Sequence, residues 1–258
     1  MKLLITSDTF LPKKDGVSIF LSMLIPALQK KGIDVRLVVP SLGVTRFDNI
    51  ARKIRVFKHI KGADYFAPHF GYLAIKKEMQ DADLVFNQSV ASLGMSCLMV
   101  GKLLKKKVIS YVHLFGWEVA RYNFGILSKP FSFIAKLIER KFYNMSYKLV
   151  VPFKGGVEKL RQIGINKPIE VIPLGIDLNK FYPPESRTKA KEKIGLPNKL
   201  TIGYCGRVSN EKDPLTLLKA FRLLREKIDC NLILVGPMLK KFKKYFEGKP
   251  RYDLYLRR

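Results

Sequence analysis

The residues best suited to chemistry lie between Ile202 and Phe221, where the sequence reads IGYCGRVSNEKDPLTLLKAF. A short apolar run predicts a strand that stops before Gly206, and a helical pattern begins at Asp213. Arg207 and Lys212 lie in the polar loop between them. Free backbone N–H groups and the positive end of a helix dipole attract phosphate, and two cations reinforce that attraction. The stretch therefore predicts an anion site, and the alternative is an ordinary strand-to-helix loop with solvated charges.

A second group of candidate residues surrounds His113. The apolar run Lys107 to Val112 predicts a strand, so His113 comes at its carboxyl end, where α/β sheets place their binding sites. One predicted loop then adds the indole of Trp117 and the carboxylate of Glu118. Histidine titrates near neutral pH and can donate or accept a proton. Position and chemistry together favour a functional role for His113 over a purely structural one.

The amino-terminal segment predicts a strand–helix–strand unit. Apolar residues run from Lys2 to Thr6, recur at helical spacing from Val17 to Lys31, and run again from Ile33 to Val39. Gly16 stands where the first loop enters the helix. It serves either a ligand that approaches the backbone closely or the turn alone. The loop lacks the GxGxxG pattern, so a nicotinamide-binding site has no specific support.

The segment from Lys129 to Tyr147 has a helical pattern with a wide apolar stripe. The stripe comprises Phe131, Ile134, Leu137, Ile138 and Phe142, beside Lys136, Arg140 and Lys141. We expect a core helix whose basic edge faces the solvent. The alternative is an interfacial helix whose lysines meet anionic lipid.

An acidic pattern, Asp81-Ala82-Asp83, imitates the DxD sequence of metal-dependent sugar transferases. It precedes the predicted strand Asp83 to Asn87, whereas ligand sites of parallel sheets gather at the carboxyl ends of strands. We interpret it as a solvated turn, and no metal site is predicted.

The charge of the chain is strongly positive. Its 258 residues include 48 Lys+Arg against 21 Asp+Glu, a formal net charge of +27. Such a surface attracts nucleic acid, anionic lipid or a polyanionic substrate. No RNP, KH, zinc-finger or helix-turn-helix signature is present, so nucleic acid is not the favoured partner. The 3 cysteines lack metal or disulfide spacing and no apolar run is long enough for a membrane span, which predicts a reduced, cytoplasmic protein.

The order of predicted strands and helices divides the chain into two domains. Residues 1–173 alternate strands with helices, which predicts an α/β domain with a doubly wound parallel sheet. The segment 174–197 contains turn signals and is predicted to be a linker. Residues 198–258 begin a second Rossmann-like series with two clear strands, Leu200 to Tyr204 and Asn231 to Val235. Two parallel strands cannot cover their own faces and edges, so we expect only the first part of a second domain.

Three motifs resemble those of the GT-B glycosyltransferases, and more narrowly the retaining enzymes of family 4. They are the first loop, Asp8-Thr9-Phe10-Leu11-Pro12 with Gly16-Val17; the inter-domain stretch Val171-Ile172-Pro173-Leu174-Gly175-Ile176-Asp177; and Gly206-Arg207-Val208 with Glu211-Lys212. The sequence departs from the family pattern at Leu174, where asparagine is more usual, and at Asp213, where glycine is common. The resemblance covers essentially the whole chain and implies a GT-B-like fold.

The resemblance also implies a chemistry. The donor would be a nucleotide-sugar, used as a co-substrate without cofactor or metal, and the transfer would retain the anomeric configuration. Gly206, Arg207 and Lys212 are implied to bind the donor diphosphate, and His113 to be the catalytic residue that faces sugar and acceptor. The residues implied at the donor and acceptor cleft are Asp15, Gly16, Val17, Trp117 and Glu118. Preorganised cations would stabilise the negative charge that develops on the departing diphosphate.

The expected partners follow from the same resemblance. Tyr111 to Tyr122 is similar to lipid-acceptor members, so we expect a lipid or glycan acceptor and an anionic membrane surface at the cytoplasmic face. Family members carry further on an acidic pair that grips the donor sugar and ribose, and no residues after Val235 match it. We therefore expect a truncated chain, an interrupted gene, or an enzyme whose second chain supplies the rest. The alternative function is a non-catalytic basic module that binds a membrane or a partner.

Overall fold

The computed structural model of the protein describes residues 1–57, 68–123, 127–209, 212–246 and 254–257. The chain divides into two compact units, Met1–Arg121 with Lys129–Asp177, and Leu178–Arg258 with Tyr122–Ser128. Each contains a parallel sheet whose strands alternate with helices along the chain. The predicted α/β fold class with Rossmann-like units is confirmed.

The first unit is built around a parallel sheet of seven described strands. In chain order, the described elements up to the end of this sheet are β1 (Lys2–Thr6), α1 (Gly16–Lys30), β2 (Asp34–Pro40), a short 3₁₀ helix (Asp48–Ile50), β3 (Ala51–Ile54), α2 (Tyr72–Gln80), β4 (Leu84–Asn87), α3 (Ser92–Leu103), β5 (Val108–Tyr111), α4 (Gly116–Asn123), α5 (Ser128–Tyr143), β6 (Lys148–Val151), α6 (Lys154–Gln162) and β7 (Ile169–Val171).

The strand order in this sheet is β3-β2-β1-β4-β5-β6-β7. The chain fills one half of the sheet outward from β1 and then crosses to β4 and fills the other half, so the order reverses between β1 and β4. Leu4 of β1 belongs to one apolar core and Ile5 to another, because helices cover both faces of the sheet. The crevice outside the carboxyl ends of β1 and β4 is therefore where a doubly wound sheet binds its ligands.

The carboxylate of Asp8 lies at this crevice and is only 4% exposed. It accepts hydrogen bonds from the hydroxyl groups of Ser89 and Ser92 and from the backbone N–H groups of Leu93 and Gly94. The backbone donors belong to the first turn of α3, whose dipole favours a negative charge at that position. Asp8 thus ties the loop after β1 to the connection that follows β4.

A chain of buried polar side chains crosses the sheet behind Asp8. Thr6 donates through Oγ1 to Asn87 Oδ1 over 2.9 Å, and Asn87 Nδ2 lies 3.4 Å from Ser110 Oγ. The hydroxyl of Ser110 in turn lies 2.8 Å from that of Ser146. Since these contacts join β1, β4 and β5 within the core, they favour one register of the three strands.

One local prediction in the first unit was wrong. The apolar residues Ile54, Val56 and Phe57 predict a short strand from Ile54 to Phe57, but β3 begins three residues earlier, because Ala51–Ile54 pairs with Leu37–Pro40 of β2. Two of the four residues of its sequence, ARKI, are basic, which is common in an edge strand, so the apolar residues that predict a strand lie mainly after it. The aromatic residues from Tyr65 to Tyr72 also predict a loop; residues 65–67 lie outside the described part of the chain, and at Tyr72 the chain already enters α2.

The second unit contains α7 (Arg187–Lys193), β8 (Leu200–Cys205), α8 (Pro214–Arg225), β9 (Cys230–Val235), α9 (Lys240–Phe246) and β10 (Leu254–Arg257). The prediction of two strands was wrong: β10 pairs in parallel with β9 from Leu254 to Arg257, which gives the sheet order β10-β9-β8. Its four residues, LYLR, are too few to establish a periodicity.

The interpretation of α5 as a core helix was wrong. Phe131, Ile134, Leu137 and Ile138 of its apolar stripe are 39–50% exposed. The residues that α5 buries are Ser132, Glu139 and Tyr143. The hydroxyl of Ser132 donates to the carbonyl oxygen of Trp117, and Glu139 accepts the N–H of Gly116, so hydrogen bonds turn the polar side of the helix inward.

We predict that Asp8→Asn lowers the free energy of unfolding by about 2–3 kcal/mol, because an amide cannot accept all four hydrogen bonds and carries no charge for the α3 dipole. Urea denaturation followed by circular dichroism measures this. Asp81→Asn, at an exposed position, is the matched control and should change stability by less than about 0.5 kcal/mol. Equal stability of the two variants would contradict the role of Asp8.

Candidate functional site

His113 follows β5 at the carboxyl edge of the first sheet. Its imidazole stacks on Tyr111, with ring centroids 4.4 Å apart and planes inclined by 24°, and meets Phe20 edge-on at 5.4 Å. Burial lowers the pKa of His113 from 6.5 to about 4, and the nearby charge of Asp15 opposes this shift. The imidazole is therefore neutral at physiological pH.

Gln88, the residue after β4, fixes the orientation of that imidazole. Its side-chain oxygen Oε1 lies 2.9 Å from Nε2 of His113, and Gln88 is only 1% exposed. Because the amide oxygen faces the ring and can only accept, the Nε2–H group of His113 donates a hydrogen bond to Gln88 Oε1, which leaves Nδ1 as an acceptor. The sequence interpretation missed Gln88, although its position just after a predicted strand at the ligand-binding edge was a usable signal.

Asp15, Gly16 and Val17 form the start of α1. Asp15 is the N-cap: it accepts the N–H of Ser18, while Ser18 accepts the N–H of Asp15. A Cβ on Gly16 would meet no heavy atom within 4 Å, and Gly16 is not among the glycines with a positive φ. The turn therefore does not require glycine here, which favours the interpretation that Gly16 leaves room for a ligand. Phe20 of α1 packs on the imidazole with ring centroids 5.4 Å apart, so the structure brings this helix together with His113.

Trp117 and Glu118 contact residues other than His113. The prediction that one loop holds them with His113 was wrong, because α4 begins at Gly116. The indole of Trp117 is 5% exposed and packs on Phe115 with ring centroids 4.8 Å apart. The carboxylate of Glu118 lies 2.6 Å from the Lys159 ammonium. These contacts are structural, and a place for the two residues at a ligand stays a prediction.

Glu139 is a buried acid that the sequence interpretation did not single out. Its Oε1 accepts a hydrogen bond over 2.6 Å from the N–H of Gly116, which is three residues after His113 in the chain. Its Oε2 has no hydrogen-bond partner among the described residues. A Cβ on Gly116 would displace this carboxyl group from its present position. Burial raises the pKa of Glu139 from 4.5 to about 8, helped by the charge of Glu118 and opposed by the hydrogen bond from Gly116.

In the second unit, two glycines shape the carboxyl edge of the sheet. Gly206 follows β8 with φ +151° and Gly236 follows β9 with φ +137°. A Cβ on Gly236 would collide with the backbone of Gly206, and the N–H of Gly206 donates to the carbonyl oxygen of Val235 over 2.8 Å. Gly206 therefore needs glycine for its backbone conformation. Gly236 needs glycine for its backbone conformation and also for its close approach to the backbone of Gly206.

The predicted cations lie in the connection from β8 to α8. Arg207 is half-buried directly after Gly206, and the hydroxyl of Tyr204 donates to its carbonyl oxygen. Lys212 is exposed, one residue before the α8 N-cap. Glu211, between them, lies outside the described residues. The observed order is thus strand, basic loop and helix N-terminus, as predicted, and its binding of a diphosphate stays a prediction.

Asp213 is the N-cap of α8 and has a left-handed backbone, with φ +44° and ψ +56°. Its carboxylate accepts the hydroxyl of Thr216 over 2.8 Å and the N–H of Thr216 over 3.4 Å. Aspartate tolerates this conformation better than most residues, and the cap helps to offset its cost.

The acidic pattern Asp81-Ala82-Asp83 ends α2 and precedes β4. Asp83 Oδ2 accepts the backbone N–H of Lys2 at 2.7 Å. In the ranges that the structure covers, no three His, Cys, Asp or Glu side chains come together as a metal site.

Membrane-spanning helices were a separate question for the sequence. In the described part of the chain, no helix combines the length and apolar composition needed to cross a bilayer.

The comparisons with known proteins agree with this architecture. Residues 14–180 match Glycosyltransferase Family 4, which is more than half of the chain. The chain therefore belongs to glycosyltransferase family 4, and the predicted family is confirmed.

Among curated relatives, the chain is 26% identical over 261 residues to alpha-monoglucosyldiacylglycerol synthase of Streptococcus pneumoniae, an alignment that covers 94% of this chain and 58% of that protein. It is 24% identical over 236 residues to the enzyme of the same name from Acholeplasma laidlawii, with 86% and 59% covered. The chain thus spans somewhat under 60% of the length of these two relatives.

A solved structure of sucrose-phosphate synthase from Thermosynechococcus elongatus has a TM-score of 0.68 to this chain at 17% identity, and the alignment covers 99% of this chain and 69% of that one. At this identity the similarity shows the fold alone.

We predict that Glu139→Gln removes a pH dependence of stability. The raised pKa means that the folded state binds this proton more tightly than the unfolded chain, so the stability that it contributes is fully present below about pH 4.5 and is lost as the pH rises to about 8. The difference in unfolding free energy, wild type minus variant, should fall by roughly 3 kcal/mol between about pH 5 and about pH 8.

Urea denaturation at several pH values measures that difference, and the glutamine keeps an acceptor for Gly116. Glu158→Gln, at an exposed position of α6, is the matched control and should give a difference that does not vary with pH. A flat difference for Glu139→Gln would show that this carboxyl is not held protonated in the folded state.

Proposed function

We propose that this chain acts in a glycosyltransferase that transfers a sugar from a nucleotide-sugar donor to a lipid acceptor, with retention of configuration and without a metal ion. The observation that carries the proposal is the basic connection from β8 to α8 in a chain of family 4. In this proposal, residues 1–173 form the acceptor side, residues 174–197 link the two domains, and residues 198–258 take part in donor binding.

The donor side of the proposal is electrostatic. When the anomeric bond breaks, negative charge develops on the departing diphosphate, and cations already in position stabilise that charge without reorganisation. Arg207 and Lys212 supply the cations, and the first turn of α8 supplies a favourable dipole. Gly206 lets the backbone of the loop come close to the phosphate groups.

The acceptor side of the proposal uses a neutral histidine. With Nε2 directed at Gln88, Nδ1 of His113 accepts a hydrogen bond from a sugar or acceptor hydroxyl. Glycosyl transfer develops positive charge on the sugar ring, and an imidazolium beside it would oppose that charge. The lowered pKa of His113 keeps the ring neutral and avoids this repulsion.

A lipid acceptor is supported by the relatives in Streptococcus pneumoniae and Acholeplasma laidlawii, whose names specify glucosyldiacylglycerol synthesis. Nucleotide-sugars are cytosolic metabolites, so the proposed location is peripheral at the cytoplasmic face of the membrane. The formal net charge of +27 suits an anionic surface.

The donor site is tested by isothermal titration calorimetry with UDP-, GDP- and ADP-sugars. We expect one nucleotide class to bind, and Arg207→Ala and Lys212→Ala each to weaken it about tenfold, because each removes a charge-assisted contact to phosphate. Lys227→Ala, an exposed lysine beyond the other end of α8, is the matched control and should bind like the wild type. If Arg207→Ala binds with unchanged affinity, the diphosphate assignment is wrong.

The role of His113 is tested by transfer of radiolabelled sugar to diacylglycerol and glucosyldiacylglycerol in mixed micelles. His113→Ala should lower the transfer rate about 100-fold. His69→Ala removes a histidine that stacks on Phe57 at 3.9 Å and serves as the control. Equal rates for His113→Ala and the wild type would remove His113 from the reaction.

A further inference from the structure

The outward face of α5 is apolar and wide. We define the α5 face as Phe131, Phe133, Ile134, Leu137 and Ile138, of which Phe133 is 62% exposed and Ile134 50%. Residues three and four positions apart are neighbours on a helix, so Phe133 and Leu137 adjoin, as do Ile134 and Ile138. A continuous exposed apolar strip of this kind marks an interaction surface on a folded protein.

The rotation of α5 about its own axis is fixed by buried hydrogen bonds. Ser132 donates to the carbonyl oxygen of Trp117 over 2.8 Å, and Glu139 accepts the N–H of Gly116 over 2.6 Å. Turning the apolar strip inward would break both bonds and expose Tyr143, which is 2% exposed. The sequence thus places its hydrogen-bonding residues on the buried side and its apolar residues outside, a local conflict of the kind found at functional surfaces.

The charges of α5 identify what covers its face. Its exposed charged residues are all cations, Lys129, Lys136, Arg140 and Lys141, and its one acid, Glu139, is buried. An amphipathic helix with large apolar side chains beside lysine and arginine lies in the interface of a bilayer, where the apolar groups enter the acyl boundary and the cations meet anionic headgroups.

We propose that the α5 face is a membrane-docking surface for anionic lipid. The proposal rests on the proposed function in one respect, since a lipid acceptor is presented by a membrane. The Glu139–Gly116 hydrogen bond connects the docked helix to the segment that follows His113, so docking sets the position of the acceptor side relative to the bilayer.

Flotation with vesicles of equal parts phosphatidylcholine and phosphatidylglycerol tests the apolar part. The double variant Phe133→Ser, Leu137→Ser should lower the vesicle-bound to free ratio at least about tenfold. Both side chains are exposed, so thermal unfolding should be unchanged. Leu73→Ser, Leu103→Ser removes two exposed leucines of α2 and α3 and should bind like the wild type.

The charge part is tested with Lys136→Gln, Lys141→Gln, which should weaken binding about tenfold on anionic vesicles and not at all on pure phosphatidylcholine. Lys30→Gln, Lys31→Gln, at the end of α1, carries the same charge change and should have no effect of this size. Equal binding of the wild type to neutral and anionic vesicles would overturn the anionic-lipid assignment.

Two further outcomes also overturn the proposal. One is a Phe133→Ser, Leu137→Ser variant that floats like the wild type. The other is a wild-type dimer in sedimentation velocity that the same double variant converts to monomer, which would assign the α5 face to a second copy of the chain.

No nucleotide-sugar is present in the flotation assay, and the variant Arg207→Ala, Lys212→Ala should float like the wild type. Failure of donor binding with intact flotation therefore counts against the proposed transfer alone, and the reverse counts against the α5 face alone.

Discussion

The Asp8 carboxylate is buried where the strand order reverses, and it accepts hydrogen bonds from four donors, one in the connection after β4 and three in the first turn of α3. A buried carboxylate without partners would cost several kcal/mol, so this group holds its loop and the start of α3 together or destabilises both. Gln88 lies in the same connection, one residue before Ser89, and it orients His113. The geometry of the candidate site in the first unit therefore follows from how this one charge is compensated.

Sequence pattern predicted the strands of the first sheet where apolar runs are continuous, as in β1, and misplaced β3, where pairing with β2 rather than hydrophobicity selects the strand. The helix α5 shows a different limit. Periodicity gave the width of its apolar stripe, but the direction of the stripe depends on Ser132 and Glu139, whose partners lie in α4. A pattern within one helix cannot contain that information.

In the candidate site, too, some features could be predicted from the sequence and others could not. His113 and Arg207 could be found from the sequence because each follows a strand at the edge where parallel sheets bind ligands. The protonation state of His113, the orientation that Gln88 gives it and the raised pKa of Glu139 could not, since burial and contacts between distant residues produce all three. Sequence therefore located reactive groups, and the fold determined their chemistry.

The departure at Asp213 bears on how the second unit would hold a diphosphate. A left-handed backbone suits glycine, and aspartate adopts it at a cost of about 1–2 kcal/mol that its cap on Thr216 partly offsets. The same carboxylate engages an N–H at the α8 N-terminus and adds a negative charge where phosphate would lie. In the proposed function, Arg207 and Lys212 must therefore balance more of the diphosphate charge than they would beside a glycine. Each cation should accordingly matter more to donor affinity in this chain.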